Sequence, residues 1–303
     1  LSPGSPSDTM HDPGARAGCA GLFAPTVRGG PPIDRPAEPA APAATPSITI
    51  VATARNEIDY VPGWVESVAF ADRVVVGDHG SRDGTDVALR EAGVEVVEIP
   101  PGGLIEDARQ QVIDSIDEGW ILVLDLDERV PIELRDELLR RLGEDPIEAG
   151  FRIPFRHYVF GRWMRHGGWR DAHLRLFRAG RGRYLPGRIH AQPAVDGEVG
   201  RLEGAVVHFA HRSIHEFVAK MNRYTTQSAP ALAAGESAGL RKRPALPPRP
   251  LRWLRASGGV FWNRYIKAQG FRDGVAGFVV AVLLAAYQFV EQAKAWEERE
   301  GVA

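Results

Sequence analysis

Cysteine is almost absent from this chain. The single thiol, Cys19, excludes an intramolecular disulfide and any zinc site built on cysteines, and it fits a reducing compartment. Arg16-Ala17-Gly18 ahead of it has the outline of a lipoprotein cleavage site, yet the preceding residues lack the apolar stretch a signal peptide needs. Charge of one sign is not in excess either. Lys and Arg number 37 against 39 Asp and Glu, a formal net charge of −2, so no chain-wide basic field attracts nucleic acid. The longest apolar run, Val275 to Tyr287, stops short of the ~18–20 residues of a membrane span.

What is present is ordinary globular composition: 303 residues, 44% hydrophobic, 25% charged and 8% aromatic. That is enough chain to bury a real core in one large domain or two small ones. Residues 1–46 are dominated by Pro, Gly, Ala and Ser without apolar periodicity. Such a segment cannot bury enough surface to offset its ordering entropy, and a disordered tail with no catalytic role is expected there.

From Ser47 the pattern alternates. Short β-branched or apolar runs at Ile48–Thr53, Arg73–Asp78, Val94–Ile99 and Trp120–Asp125 read as strands. Helical spacing falls between them, around 60–70, 86–92 and 105–116. This order predicts an α/β fold with a mostly parallel sheet flanked by helices. A further helix is expected at Glu133–Leu142, strands at Phe151–Phe160, Leu174–Phe177 and Val206–His211, and a helix from Ser213 to about Ser228. Residues 47–235 are expected to form the catalytic domain and 236–303 a basic amphipathic helical region. Between Glu236 and Asp273 no acidic residue occurs, while nine Lys or Arg are interleaved with Trp253, Phe261, Trp262, Tyr265 and Phe271. That composition suits a peripheral contact with an anionic membrane surface. A terminal helix packed on the domain is the plainer alternative.

In parallel sheets ligands bind outside the carboxyl ends of the strands, and three such ends here are polar. Asp125-Leu126-Asp127-Glu128 follows a continuous hydrophobic strand. In extended backbone Asp125 and Asp127 share a face, and paired carboxylates of this kind call for a hard cation, Mg²⁺ or Mn²⁺. Asp78-His79-Gly80-Ser81-Arg82-Asp83-Gly84-Thr85 ends the second strand. There Asp83 or Thr85 can cap the next helix while Asp78 faces a ligand. Thr53, Asn56 and Glu57 end the first strand.

These three strand ends resemble those of the family 2 glycosyltransferases with the GT-A fold. Gly168-Trp169-x-Asp171, Leu174-Arg175-Leu176-Phe177-Arg178, Asn222-Arg223-Tyr224-Thr225 and Gln269-Gly270-Phe271-x-Asp273-Gly274 narrow the resemblance to the subgroup that includes lipopolysaccharide core β-1,4-glucosyltransferases. The resemblance runs from about Ser47 to Glu297. It implies a Rossmann-like GT-A sheet and an inverting, metal-dependent hexosyl transfer. The donor would be a nucleotide sugar, a UDP-sugar for preference, and the acceptor a glycan or glycolipid of the cell envelope. The enzyme would then sit in the cytoplasm, on the inner face of the cytoplasmic membrane. It also implies Thr53, Asn56 and Glu57 near the nucleoside, Asp78 on the base, Asp83 organising its loop, and Arg109 near the base or ribose. Asp125 would lie by the ribose or metal, with Asp127 as metal ligand.

The family pattern His-Glu after the Leu-Phe-Arg strand is broken here, where Gly187-Arg188-Ile189-His190-Ala191 puts Ala at the Glu position. Ala accepts no proton, so the general base is expected at Asp171, with Glu203 as the other candidate, and His190 is expected to bind metal or diphosphate. The same Ala191 supports an alternative, a catalytically weak relative that binds nucleotide sugar or glycan as scaffold or sensor. A sugar nucleotidyltransferase is disfavoured because the first strand end lacks a Gly-rich phosphate loop. His208 and His211 have zinc-like spacing without an evident third ligand and read as core or acceptor-side residues. Arg156, Arg162, Arg165, Arg170 and Arg175 form a basic cluster suited to a diphosphate or a phosphorylated acceptor. Neither the sugar nor the oligomeric state is legible.

Overall fold

Ile48–Ala54 forms the first strand, β1, with all seven residues buried. A computed structural model describes this strand and its surroundings over residues 46–100, 105–184, 193–236 and 245–301. The expected tail therefore lies outside the described residues up to position 45. β1 pairs in parallel with β2 (Arg73–Asp78) and β4 (Trp120–Val123), and β2 with β3 (Glu95–Glu98). A strand covered on both faces needs apolar residues at odd and even positions, which is why β1 and β4 are continuous rather than alternating. Ile48, Ile50, Ala52 and Ala54 face one layer, with Trp64 and Val68 of α1 (Val61–Val68), Leu89 of α2 (Thr85–Glu91) and the Leu134, Leu138, Leu142 stripe of α4 (Ile132–Gly143). Val51 faces the other, with Val112 and Ile113 of α3 (Ile105–Ile113).

Beyond β4 the sheet turns mixed. Its order is β3-β2-β1-β4-β8-β6-β12-β5. The members of this half are β5 (Glu128–Arg129), β6 (Gly150–Val159), β8 (Ala172–Arg178) and β12 (Val206–His211). No helix intervenes between β6 and β8, so the chain returns as an antiparallel pair, with the short β7 (Arg162–Trp163) folded back on β6. The minor strands β9 (Gly182–Arg183), β10 (Ala194–Val195) and β11 (Val199–Arg201) flank this half. The parallel expectation thus holds for β3-β2-β1-β4, in a sheet that is mixed as a whole.

Among the described residues three α-helices follow: α5 (Ile214–Ala233), α6 (Pro250–Phe261) and α7 (Gly274–Glu300). The N-cap Ser213 accepts the Glu216 N–H, and the Glu216 carboxylate reaches back to the Arg212 N–H at 2.9 Å. One face of α7, Gly277, Val280, Ala281, Leu284, Gln288, Glu291, Gln292 and Ala295, is buried at helical spacing. At Gly277 a Cβ would come within 1.9 Å of the Gly270 carbonyl oxygen, so the helix approaches the preceding turn closely because the position has no side chain. The helical stretch Gly270–Glu300 is 31 residues long, with a mean hydropathy of 1.8 in its most apolar window. It meets the length and composition of a membrane span, which the Val275–Tyr287 run alone did not. Val275, Phe278 and Val282 are exposed on it, as are Leu251, Leu254, Trp262 and Phe271 nearby.

Candidate active site

The first two strand ends lock each other. Asn56 takes a left-handed conformation (φ 56°). Its N–H donates to Ser81 Oγ at 3.0 Å, and its Oδ1 accepts the Arg82 N–H at 2.8 Å. Asp83 accepts the Ile58 N–H at 3.1 Å and both the N–H and hydroxyl of Thr85. Asp78, buried at the end of β2, accepts the Gly80 and Ser81 N–H groups and the Ser81 hydroxyl. Asn56, Asp78 and Asp83 therefore shape the loops, and any ligand must use their remaining lone pairs.

The third strand end departs from the expected geometry. β4 stops at Val123, and the Glu128 N–H donates to the Asp125 carbonyl at 2.9 Å, closing a tight turn. Asp125 and Asp127 are therefore not alternate residues of an extended strand. Their carboxylates meet different partners. Asp125 lies between two guanidiniums: Arg109 on one oxygen, and Arg175 at 3.2 Å on the other. Arg175 also donates to Glu128 at 2.9 Å, and Glu128 accepts the Asp125 N–H at 2.9 Å. Arg109 reaches Thr53 Oγ1 at 3.4 Å, with its guanidinium 5.5 Å from the Tyr184 ring centroid. Burial raises the Asp125 carboxyl, but the two arginines outweigh it and hold it below the usual range. Glu128 moves the other way, since its burial exceeds the help from Arg175.

Asp127 turns toward β12. His208 Nε2 is 3.5 Å and Lys220 Nζ 3.9 Å from its Oδ2. Glu216 holds Lys220 from one turn earlier on α5, at 3.0 Å. Strand register puts the rest in one row: His208 is the cross-strand partner of Glu128 on β5 and of His157 on β6. Ligand atoms of Asp127, Glu128 and His208 all lie within 4.8 Å of one another. Burial, with Asp127 and Asp125 close by, pushes the Glu57 carboxyl up to about 8. Two carboxylate donors and one imidazole suit Mg²⁺ and better Mn²⁺. Burial is the main reason that Glu57 and Glu128 are raised, with Asp125 and Asp127 adding to it.

On the far side of the row, Asp171 Oδ1 is 2.7 Å from His157 Nε2, and its Oδ2 is 3.1 Å from His173 Nε2. Burial raises this carboxyl, but the two imidazoles more than reverse that and hold it well below its ordinary value. Its loop is tied to the C-terminal helices. Arg264 donates to the Gly167 and Gly168 carbonyls at 3.0 and 3.1 Å, and Asp273 accepts the His166 N–H at 2.8 Å and pairs with the His166 ring at 2.9 Å.

Residues 49–193 match the glycosyl transferase family 2. The chain carries a family 2 glycosyltransferase domain. Over 249 residues it is 28% identical to the lipopolysaccharide core biosynthesis glycosyltransferase LpsC of Rhizobium meliloti, covering 80% of this chain and 89% of that protein. A shorter match, 33% over 112 residues, is to a TPR repeat-containing protein of Synechococcus elongatus and spans 37% of this chain and 28% of that one. Among solved structures it is similar to a mannosyltransferase from Pyrobaculum calidifontis in complex with GDP-Man and Mn²⁺. That likeness is 15% identity over 85% of this chain and 89% of that one, with a TM-score of 0.47.

Of the residues singled out in the sequence, the fold of the glycosyltransferase brings Thr53, Arg109 and Asp125 into direct contact, with Asp127 and Glu57 close by. Asp125 is held by arginines and stands outside the candidate metal cluster. His190 and Ala191 lie outside the described residues. Arg175 leaves the expected basic cluster and is buried against Asp125 and Glu128. Sequence reasoning missed Glu128, Lys220 and His157, and placed His208 in the core or on the acceptor side. His208 had one signal: Val206, His208 and Ala210 alternate on β12, and Val206 and Ala210 are buried. His211 stands apart, its ring 4.6 Å from Phe217.

Proposed function

We propose that this glycosyltransferase is an inverting, metal-dependent hexosyltransferase. It takes the sugar from a nucleoside-diphosphate donor, UDP-sugars being the first class to try, and passes it to a glycan or glycolipid of the cell envelope. The observation that carries this reading is the Asp127, Glu128, His208 cluster beside the arginine-held Asp125, at the carboxyl edge of the parallel strands. When bound there, a divalent cation supplies neutralising charge for the departing diphosphate. Arg109 and Arg175 keep Asp125 ionised, so it can accept hydrogen bonds from ribose hydroxyls. Lys220 adds a second cation beside Asp127 for phosphate oxygens. Thr53, Asn56, Glu57 and Asp78 border the space for the nucleoside. Asp171, 40% exposed at its side chain, is the carboxylate assigned to the acceptor hydroxyl. Each of its oxygens keeps a second lone pair for that proton.

The similarity to a lipopolysaccharide core biosynthesis enzyme supports an envelope acceptor. The exposed apolar residues of α6 and α7, beside Arg252, Arg255 and Arg272, support work at the inner face of the cytoplasmic membrane. Calorimetric titration of UDP-, GDP- and dTDP-sugars, with and without Mn²⁺, tests the donor half. One nucleotide class should bind in a Mn²⁺-dependent way, and Asp127→Ala should abolish it. Equal Mn²⁺-stimulated binding in that variant removes the metal assignment. Donor binding without transfer to any envelope acceptor would favour a non-transferring role instead.

A further inference from the structure

Asp171 and His157 lie on the opposite side of His208 from Asp127, and the hydrogen bonds between them constrain where protons sit. An ionised carboxylate only accepts, so the His157 Nε2 facing Asp171 Oδ1 at 2.7 Å carries a proton. His157 Nδ1 is 2.8 Å from His208 Nδ1, and one proton must lie between them. In a neutral His157 the Nδ1 is the acceptor, so that proton belongs to His208. His208 then has Nδ1–H, so in the neutral ring the lone pair is on Nε2, on the side of Asp127 and Glu128. The opposite placement, with His157 doubly protonated, puts a proton on His208 Nε2 where a metal ligand atom is needed.

We infer that His157, backed by Asp171, is a positioning residue that fixes His208 in the Nδ1–H tautomer and so prepares its Nε2 to ligate a divalent cation. The packing agrees with that role. His157 is 6% exposed, lies 5.6 Å from the Phe155 ring in a stacked arrangement and 5.3 Å from Trp169. These aromatic neighbours hold the ring in place and limit water's access to it. Register alone aligns Glu128, His208 and His157 across β5, β12 and β6, so the relay is set by strand pairing rather than by a flexible loop. Metal-bound imidazoles are commonly oriented through their second nitrogen, and losing that partner lowers metal affinity about 10- to 100-fold.

The inference rests on the metal-dependent reading above, and the test separates the two. Mn²⁺ affinity of the full chain is measured by electron paramagnetic resonance and calorimetry, without nucleotide, for the parent, His157→Phe and His157→Asn. The Phe variant keeps the aromatic packing and removes the acceptor. In the Asn variant an amide oxygen can take the place of Nδ1. The expected result is about 10- to 100-fold weaker Mn²⁺ binding for His157→Phe, with most of the affinity regained in His157→Asn. In the metal-free parent, ¹⁵N-detected histidine spectra should show His208 protonated at Nδ1. Equal Mn²⁺ affinity in parent and His157→Phe, with both folded, overturns the inference alone. So does a neutral His208 protonated at Nε2. A folded parent that binds no Mn²⁺ at all overturns the metal reading and the inference together.

Discussion

Arg175 offers the sharpest test of how the site is held together. Its guanidinium bridges Asp125 at 3.2 Å and Glu128 at 2.9 Å, and the side chains of Arg175 and Glu128 are only 14% and 2% exposed. Replacing it with Met keeps an unbranched side chain of similar length and removes the charge. Glu128 is then left as a buried acid with no cation on that oxygen. Removing one partner of a buried pair costs about 3–5 kcal/mol, most of it the burden of the charge left behind. If that is the origin of the loss, Glu128→Gln in the same chain should relieve it. Urea denaturation of the four proteins of the cycle, with chelator present to exclude metal, gives the coupling energy. Arg175→Met alone should lose about 3 kcal/mol, and the double variant should be at least about 2 kcal/mol more stable than additivity predicts. Because the pair is buried, 0.5 M salt should change the coupling little. Additive losses, or a coupling that disappears in salt, would refute the buried-charge argument and leave Arg175 as a packing residue.

Gly277→Ala should destabilise by about 1–3 kcal/mol although Ala favours helix, because its methyl meets the Gly270 carbonyl at 1.9 Å; a raised thermal midpoint would contradict this. Burial lowers the His211 imidazole to about 4, with Lys220 adding to the effect, Glu216 and Asp127 opposing it, and its ring against Phe217. Its folded value lies below the unfolded one, so the contribution is complete above about pH 6.5 and is lost as pH falls through about 4. His211→Phe should flatten that acid limb in denaturation curves, by no more than about 3 kcal/mol. Vesicles with anionic lipid should co-sediment the full chain, neutral vesicles should not, and 0.5 M salt should release it; equal pelleting with both would remove the electrostatic part.

How legible the site was depended on how far apart in sequence its parts lie. Strands covered on both faces, such as β1, announce themselves, and the half-buried run Val206–His211 also has the bounds read from sequence. β4 was drawn too long because Leu124 and Leu126 are buried like strand residues, 0% exposed, although the backbone has already turned. That turn sends Asp125 and Asp127 to different partners. Nothing within a local window reports that His208 will stand opposite Glu128, since their pairing is a register between strands some 80 positions apart. Arg175 was visible as a charge, but its destination was not. Whether an arginine faces solvent or bridges two acids is settled by its neighbours, here in the turn after β4 and on β5.

The C-terminal region reads by composition as an appendage, and its contacts argue otherwise. Asp273 opens α7 as the N-cap, yet its side chain makes no capping bond and serves the Arg165–His166 backbone and the His166 ring instead. Arg264 spends one amino group on the carbonyls of Gly167 and Gly168. Both contacts fix the loop that ends in Asp171, and Asp171 in turn orients His157. Arg264 and Asp273 thus tie the chain just before α7 to the loop that carries Asp171. The same helices carry the exposed Phe271, Val275 and Phe278. The residues that would rest on a lipid surface and those that hold the Asp171 loop alternate along one short stretch of chain. In this glycosyltransferase, the exposed apolar residues and the residues that hold the Asp171 loop share the same stretch of chain.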